Sequence, residues 1–104
     1  MRKYFGTDGI RGEANRDLTV DIALRLGYAL GYYLKQKKGN GKIKVIMGSD
    51  TRRSGYMLRS ALTAGLNSMG VDIDFVGVIS TPAVAHITKT KGADAGIMIS
   101  ASHN

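Results

Sequence analysis

The sequence predicts an α/β protein with three layers, in which helices cover both faces of a parallel β-sheet. Three short apolar segments, residues 42–47, 71–78 and 94–99, have the length and composition of strands. Amphipathic helical segments alternate with them, and glycines separate the two kinds of segment. A βαβαβ unit of this kind is right-handed and places its strands side by side. We therefore expect a parallel sheet at the centre of the molecule.

The first helix is predicted to run from Thr19 to about Lys38. Threonine is a favoured N-cap residue, and the lysines before Gly39 are typical of a helix end. Apolar or small side chains recur on one side of this helix, which predicts its buried face. They are Ile22, Ala23, Leu26, Gly27, Leu30 and Leu34.

The composition of each strand predicts its place in the sheet. Residues 42–47 end in Val-Ile-Met, which is too uniformly apolar for a strand with a wet face, so this strand should be central. Residues 71–78 alternate, with Asp72 and Asp74 on one face; this favours a half-exposed edge strand over a pair of catalytic acids. The predicted spatial order is 2-1-3. We expect the third strand to be buried on both faces, with no strand of this chain on its outer edge.

Two further helices follow the first and second strands. One should end at Gly70 after residue 69, with Ser54 as its candidate N-cap. The other should begin with Thr81 as N-cap and Pro82 in the first turn, and end near residue 91. His86 on this helix is interpreted as a surface or partly packed histidine, because no second metal ligand lies one turn away.

Composition limits the class of protein. With 104 residues and 43% hydrophobic content, the chain can bury a core of modest size. No apolar run approaches the roughly 18 residues that a membrane span needs, and the N-terminus does not resemble a signal peptide, so we expect a cytoplasmic protein. The absence of cysteine excludes disulfides and thiolate metal sites and fits a reducing compartment.

The charge balance favours an anionic partner. Fifteen Lys and Arg residues against eight Asp and Glu give a formal charge of +7, which suits phosphorylated metabolites or nucleic acid. The chain has no recognisable nucleic-acid module, and we expect no nucleic acid partner. Five lysines around one helix-to-strand connection are explained as a solvated helix end that complements the helix dipole. They are Lys35, Lys37, Lys38, Lys42 and Lys44.

The most informative segment is the apolar strand that ends in Ser-Ala-Ser-His-Asn, residues 100–104. Polar groups at the carboxyl end of a parallel strand lie where α/β proteins bind ligands. A serine there is a nucleophile only beside a base, a metal or a poised substrate, so position alone is compatible with a plain polar loop or a frayed chain end. Loops that leave the carboxyl ends of parallel strands emerge on one edge, and Arg11, residues 50–53 and Ser102 are therefore expected to converge.

Three segments resemble motifs of the α-D-phosphohexomutase family. Ile-Ser-Ala-Ser-His-Asn, residues 99–104, is similar to the phosphoserine loop of that family. Phe-Gly-Thr-Asp-Gly-Ile-Arg-Gly, residues 5–12, resembles its N-terminal signature, in the spelling of the branch that acts on glucosamine phosphates. Gly-Ser-Asp-Thr-Arg-Arg-Ser-Gly, residues 48–55, resembles its first strand-to-helix loop. The three motifs occur in the family's order and span nearly the whole chain.

The resemblance implies roles for several residues of these motifs. Ser102 would carry the transferable phosphoryl group, and Arg11 would be a fixed cation held between Gly9 and Gly12 in a tight turn. His103 would act as an acid or base, or only brace the loop. Other side chains would bind phosphate or tie the first strand-to-helix loop together by charge-assisted hydrogen bonds. The phosphate-binding set is Thr7, Arg11, Ser100 and Asn104, and the structural set is Asp50, Arg52 and Ser54.

The resemblance also implies an activity and a cofactor. The expected enzyme is an isomerase, an intramolecular phosphotransferase that interconverts glucosamine 6-phosphate and glucosamine 1-phosphate through a 1,6-bisphosphate, for amino-sugar metabolism and peptidoglycan precursor synthesis. Mg²⁺ would bind a phosphate oxygen on Ser102, with its other ligands outside this chain. A phosphomannomutase or phosphoglucomutase is one alternative. A noncatalytic phosphate-binding α/β module is another.

The resemblance further implies that residues 1–104 are an incomplete first domain. In the family another strand and helix complete this domain and three more domains follow, so we expect a chain truncated before them that is inactive alone. Its partners would be the phosphorylated hexosamine and the remaining domains of the same protein. A homo-oligomer is compatible with the sequence, and no membrane partner is expected.

Overall fold

The computed structural model describes residues 3–5, 10–12, 19–49 and 56–99. Within these ranges the chain forms a five-stranded sheet with helices packed on both faces, as expected for an α/β protein. The elements in chain order are β1 (Lys3–Phe5), β2 (Ile10–Gly12), α1 (Val20–Lys38), β3 (Ile43–Ser49), α2 (Tyr56–Ser68), β4 (Val71–Val78), α3 (Thr81–Thr90) and β5 (Ala95–Ile99).

The sheet has the order β1-β2-β5-β3-β4. The three predicted strands are β3, β4 and β5, and all of their pairings are parallel. Val45 of β3 lies opposite Ile73 of β4 on one side and Ala95 of β5 on the other. The predicted order 2-1-3, with the first strand in the middle and the second at the edge, is confirmed.

The outer edge of β5 has a strand partner, contrary to the prediction. β2 pairs with β5 in parallel, with Ile10 opposite Ile97, and β1 pairs with β2 in antiparallel orientation. Strands of three residues carry too little periodicity to be identified from sequence. The Asp8-Gly9 dipeptide between two short segments was the available signal for a hairpin, since Asp-Gly is common in such turns.

Helices α1 and α2 cover one face of the sheet. Their buried side chains form a single core with the inward side chains of β3 and β5, in which Leu66, Val45 and Met47 are completely buried. The predicted stripe of α1 is confirmed, although Ile22 and Leu26 are only partly buried. Burial of aliphatic side chains on this scale is the main source of stability in a domain of this size.

Helices α1 and α2 approach each other so closely at one point that their backbones are in contact. A Cβ atom on Gly65 would lie 2.5 Å from the Leu24 carbonyl oxygen and 2.9 Å from the Gly27 Cα. A Cβ atom on Gly27 would lie 2.7 Å from the Leu62 carbonyl oxygen. Both positions therefore require glycine because the two helices approach too closely for a larger residue.

Helix α3 covers the other face. Its Val84 packs with Ile46 of β3 and Met98 of β5, and these three side chains form a second, smaller core. The N-cap of α3 is Ser80 and not Thr81 as predicted. Ser80 has extended backbone, and its hydroxyl accepts a hydrogen bond from the Ala83 N–H at 3.2 Å. Thr81 is the first helical residue, because the chain becomes helical one residue earlier than predicted.

The predicted ends of the other helices are confirmed where the structure describes them. Thr19 caps α1, and its hydroxyl accepts a hydrogen bond from the Ile22 N–H at 3.3 Å. Gly39 has a φ of 83° and donates a hydrogen bond to the Lys35 carbonyl oxygen at 2.9 Å, which ends α1. Gly70, also at a φ of 83°, follows α2. Ser54, the candidate cap of α2, lies outside the described residues.

Candidate functional site

The carboxyl ends of three strands lie side by side at one edge of the sheet, called here the carboxyl edge. Ser49 is the last residue of β3, and it lies opposite Val78 at the end of β4 and Ile99 at the end of β5. Ser49 is buried, with 4% of its surface exposed. The chain segments that follow β3 and β5 are residues 50–55 and 100–104, so both motif loops begin at neighbouring positions of this edge.

Arg11 lies in β2, the strand next to β5. Since Ile10 is opposite Ile97 in a parallel pair, the backbone of Arg11 continues towards the carboxyl edge beside the strand that leads to Ser102. The predicted tight turn around Arg11 is wrong at this residue, because Arg11 is paired with Tyr4 in the antiparallel ladder of β1 and β2.

The other predicted site residues lie outside the described part of the chain. They are Thr7, Asp50, Arg52, Ser54, Ser100, Ser102, His103 and Asn104. The structure does describe the last strand residue before each of the segments that follow β3 and β5. For the phosphoserine-like loop that residue is Ile99, which is 6% exposed and is held by β3.

A bulge shapes the carboxyl edge, and it was not predicted from the sequence. The register of β3 and β4 shifts after the pair Met47 and Phe75, so that Gly48 lies opposite Gly77 and Val76 is the extra residue. Gly77 has a φ of 97°, a conformation that L side chains rarely adopt. An isolated glycine inside a strand pattern was the available signal for this bulge.

The bulge leads into a short connection to α3. The Ile79 N–H donates a hydrogen bond to the Ser49 carbonyl oxygen at 2.9 Å, which extends the contact between β3 and the chain after β4. Ser80 then caps α3 one residue later. The N-terminus of α3 is thereby held next to the end of β3.

Arg59 connects the first turns of α2 to the edge strand. Its guanidinium lies 5.0 Å from the ring centroid of Tyr56 and 4.1 Å from that of Phe75 on β4. Contacts of a guanidinium with aromatic rings contribute about 0.5–1 kcal/mol when partly exposed. This contact leaves no pattern in the sequence, because Arg59 and Phe75 are close only in the folded chain.

The amino-terminal end of the sheet carries an ion pair between α1 and the start of β5. Lys38 Nζ lies 3.3 Å from Asp94 Oδ1 and donates a hydrogen bond of 2.6 Å to the Lys42 carbonyl oxygen. The Asp94 carboxylate also accepts a hydrogen bond from the Lys44 N–H at 2.9 Å. The predicted solvated lysine cluster is confirmed as exposed, but Lys38 also stabilises the fold by this contact.

The remaining polar residues predicted to be structural behave as expected. His86 is exposed, and Asp74 forms an ion pair of 3.7 Å with Lys91 on the edge of the sheet. Across residues 19–49 and 56–99, no group of three or more His, Asp or Glu side chains could hold a metal ion. None of the helices described is both long and apolar enough to cross a bilayer.

The sequence also matches a known protein family and proteins of known name. Residues 2–104 match the model of the family described as phosphoglucomutase/phosphomannomutase, alpha/beta/alpha domain I. The chain is 81% identical over 105 residues to phosphoglucosamine mutase of Fusobacterium nucleatum subsp. nucleatum, and 58% identical over 104 residues to phosphoglucosamine mutase of Clostridioides difficile. Each alignment covers 100% of this chain and 23% of the relative. The chain thus spans about a quarter of the length of these relatives.

A solved structure shares the fold. The phosphoglucomutase/phosphomannomutase family protein of Burkholderia thailandensis is 34% identical and superposes with a TM-score of 0.61. The superposition covers 74% of this chain and 16% of that protein. The similarity therefore extends over most of the elements described above.

Proposed function

The chain belongs to the phosphoglucomutase/phosphomannomutase family through its first domain, and on that premise we propose that its full-length protein is a phosphoglucosamine mutase. The reaction is the interconversion of glucosamine 6-phosphate and glucosamine 1-phosphate. Residues 1–104 supply the phosphoserine-bearing part of domain 1, and domains 2 to 4 supply the rest of the cleft. The identity of 81% to a relative of that name supports glucosamine as the sugar.

One structural observation carries the proposal. β2, β5 and β3 are neighbours in the sheet, and each contains or immediately precedes one of the three motif segments. Segments far apart in sequence, which hold Arg11, Asp50 and Ser102, thus start from adjacent strands. Phosphoryl transfer depends mainly on such positioning and on neutralising charge.

In the proposed reaction the phosphoryl group of Ser102 moves to a sugar hydroxyl. The sugar oxygen forms a bond to phosphorus as the bond from phosphorus to the Ser102 oxygen breaks. The hydroxyl proton is taken up by a base, for which His103 is the candidate, and the serine oxygen is left to accept the second phosphoryl group of the bisphosphate. Arg11 offers two parallel N–H donors to phosphate oxygens. Thr7, Ser100 and Asn104 would add hydroxyl and amide contacts.

The proposed cofactor is Mg²⁺, which would neutralise charge on the phosphoryl group. Ser102 would contribute one phosphate oxygen as ligand. The described residues provide no cluster of ligands that fits the ion, so its other ligands would come from outside this chain. None of the bond changes above depends on where the ion lies.

Asp50, Arg52 and Ser54 are assigned to the architecture of the cleft. The full-length protein is proposed to be located in the cytoplasm.

The decisive experiment examines Ser102 in the full-length protein. Intact-mass measurement and peptide mapping should find phosphate on Ser102, and Ser102→Ala should lose nearly all turnover while it keeps the thermal unfolding midpoint of the wild type. Ser60→Ala, an exposed hydroxyl on α2, is the matched control and should keep full activity. Unchanged turnover in Ser102→Ala would reject the mutase and favour the noncatalytic phosphate-binding module.

Two further measurements test the sugar and the domain. Turnover should be fastest on glucosamine phosphates; faster turnover on mannose or glucose phosphates would favour the alternative mutases. The 104-residue chain alone should show no mutase activity, because the proposed sugar-binding and metal-binding parts lie in other domains. Activity of the isolated chain would contradict this division of labour.

A further inference from the structure

A pair of glycines lies one residue from the carboxyl edge, Gly48 on β3 and Gly77 on β4. We propose that these two glycines are positioning residues for phosphoryl transfer: the bulge they form sets where the loops after β3 and β5 begin. This role rests on the proposed function. The two glycines would affect phosphoryl transfer without touching the substrate. Neither glycine can contribute a side chain to the chemistry.

Gly77 is required for its backbone conformation. Its φ is 97°, and a Cβ atom added to it would meet nothing within 4 Å. Space is thus not the constraint at this position; the conformation is, because L side chains rarely adopt it. The extra residue Val76 and the conformation of Gly77 together form the irregularity through which the end of β4 leads to its connection with α3.

Gly48 is required for space. A Cβ atom on Gly48 would lie 2.6 Å from Val84 Cγ2 on α3 and 3.2 Å from Ile79 Cγ1. The first of these distances is too short for any real Cβ contact, and valine has few alternative rotamers, so the Val84 side chain, α3 or β3 would have to shift. The missing side chain lets the first turns of α3 lie directly over the end of β3.

Both glycines affect the position of Ser49. Only Ser49 separates Gly48 from the segment that begins at residue 50, and the Ile79 N–H binds the Ser49 carbonyl oxygen at 2.9 Å. Ser49 also lies opposite Ile99, the last residue before the segment with Ser102. A displacement of Ser49 is therefore passed to both motif segments. The segment after β3 begins about 7 Å along the strand from Gly48, at a rise of about 3.3 Å per residue, and β5 lies one strand spacing of about 4.8 Å to the side.

The expected effect on catalysis follows from the geometry of phosphoryl transfer. Reacting atoms must be aligned to a fraction of an ångström, and a displacement of about 1 Å can cost about 100-fold in rate. A change at either glycine should therefore lower kcat more than it changes KM. A role confined to stability would lower the unfolding midpoint and leave kcat unchanged.

The chain contains a matched control for Gly77. Gly70 immediately precedes β4 at the opposite end of the same strand, has a φ of 83° and likewise has nothing within 4 Å of an added Cβ atom. Gly70→Ala and Gly77→Ala thus introduce the same kind of backbone strain far from and close to the carboxyl edge. In the full-length protein both should lower the unfolding midpoint, but only Gly77→Ala should lower kcat, by about 10- to 100-fold with KM within about twofold. Equal kcat in the two variants would overturn the proposal.

The control for Gly48 is a compensating change. Gly48→Ala should lower kcat, and adding Val84→Ala, which removes the methyl group in the way, should recover a large part of it. If Gly48→Ala does not fold, the double variant should, and its kcat should be within about tenfold of the wild type. A loss of kcat in Gly48→Ala that Val84→Ala leaves unchanged would overturn the role of this contact.

Hydrogen exchange separates this inference from the proposed function. In the full-length protein, amide exchange of peptides that cover residues 98–104 should be faster in Gly48→Ala and Gly77→Ala than in the wild type, and unchanged in Gly70→Ala. This readout needs no turnover, so it decides the proposal even if Ser102 carries no phosphate. Exchange of residues 98–104 that is the same in all four proteins would overturn it.

Discussion

The two faces of the sheet are packed in different ways. On one face α1 and α2 contact each other through Gly27 and Gly65 and cover a large core. On the other face, among the residues that the structure describes, α3 packs on the sheet through the small core around Val84. The first face carries most of the buried apolar surface, whereas the second is the one that contacts the bulge at the carboxyl edge. Stability is therefore concentrated on the first face, and the proposed positioning of the site on the second.

The sharpest test of this comparison is a pair of core truncations. Leu66→Ala on the first face removes a fully buried side chain and should lower the free energy of unfolding by about 2–5 kcal/mol. Val84→Ala on the second face removes two methyl groups and should cost about 1.6 kcal/mol, at about 0.8 kcal/mol for each. Denaturant unfolding of both variants measures the difference. A larger loss from Val84→Ala would show that the second face is the more important for stability.

The next effect concerns the contact between α1 and α2. Gly65→Ala should destabilise the chain by about 1–3 kcal/mol, because the added methyl group meets the Leu24 carbonyl oxygen at 2.5 Å. Alanine also has a helix propensity about 1 kcal/mol more favourable than that of glycine. The variant is therefore destabilised only if the steric cost is larger than this gain.

Gly31→Ala is the matched control for this contact. Its Cβ atom would meet Met69 Cβ at 2.6 Å, but Met69 lies in the turn just after α2, where the chain can shift without separating the two helices, so the net loss should be smaller. Thermal unfolding of both variants provides the comparison. A stabilised Gly65→Ala variant would mean that the helices separate at little cost.

The smallest effects are expected from the two N-caps, one on each face. Thr19→Ala and Ser80→Ala each remove one hydrogen bond to a backbone N–H and should cost about 1 kcal/mol. Their local consequences should differ, since Ser80 lies beside the carboxyl edge. Ser80→Ala should speed amide exchange in the first turn of α3 and at Ile79, and Thr19→Ala should leave that region unchanged. Equal exchange in both variants would argue against coupling between α3 and the edge.

Local sequence patterns were sufficient for much of the fold. The stripe of α1, its cap at Thr19 and its end at Gly39 follow from side-chain spacing and from the conformations each residue allows. The uniform apolar run of β3 and the alternation in β4 determined which strand is central and which lies at the edge. These features depend on neighbours within a few residues, which is why the sequence alone reveals them. The motifs that contain Arg11 and Ser102 also indicate the family.

Other features depend on residues that are distant in the chain. The pairing of β2 with β5, the contact of Arg59 with Phe75 and the bulge at Gly77 form only when separate segments meet. The cap at Ser80 was missed for a related reason, since the connection after the bulge decides where α3 begins. Sequence patterns determined where the three helices and the three longer strands form, because those choices are local. The tertiary structure alone decided how the carboxyl edge is assembled, because that edge is made of contacts between segments with no pattern in common.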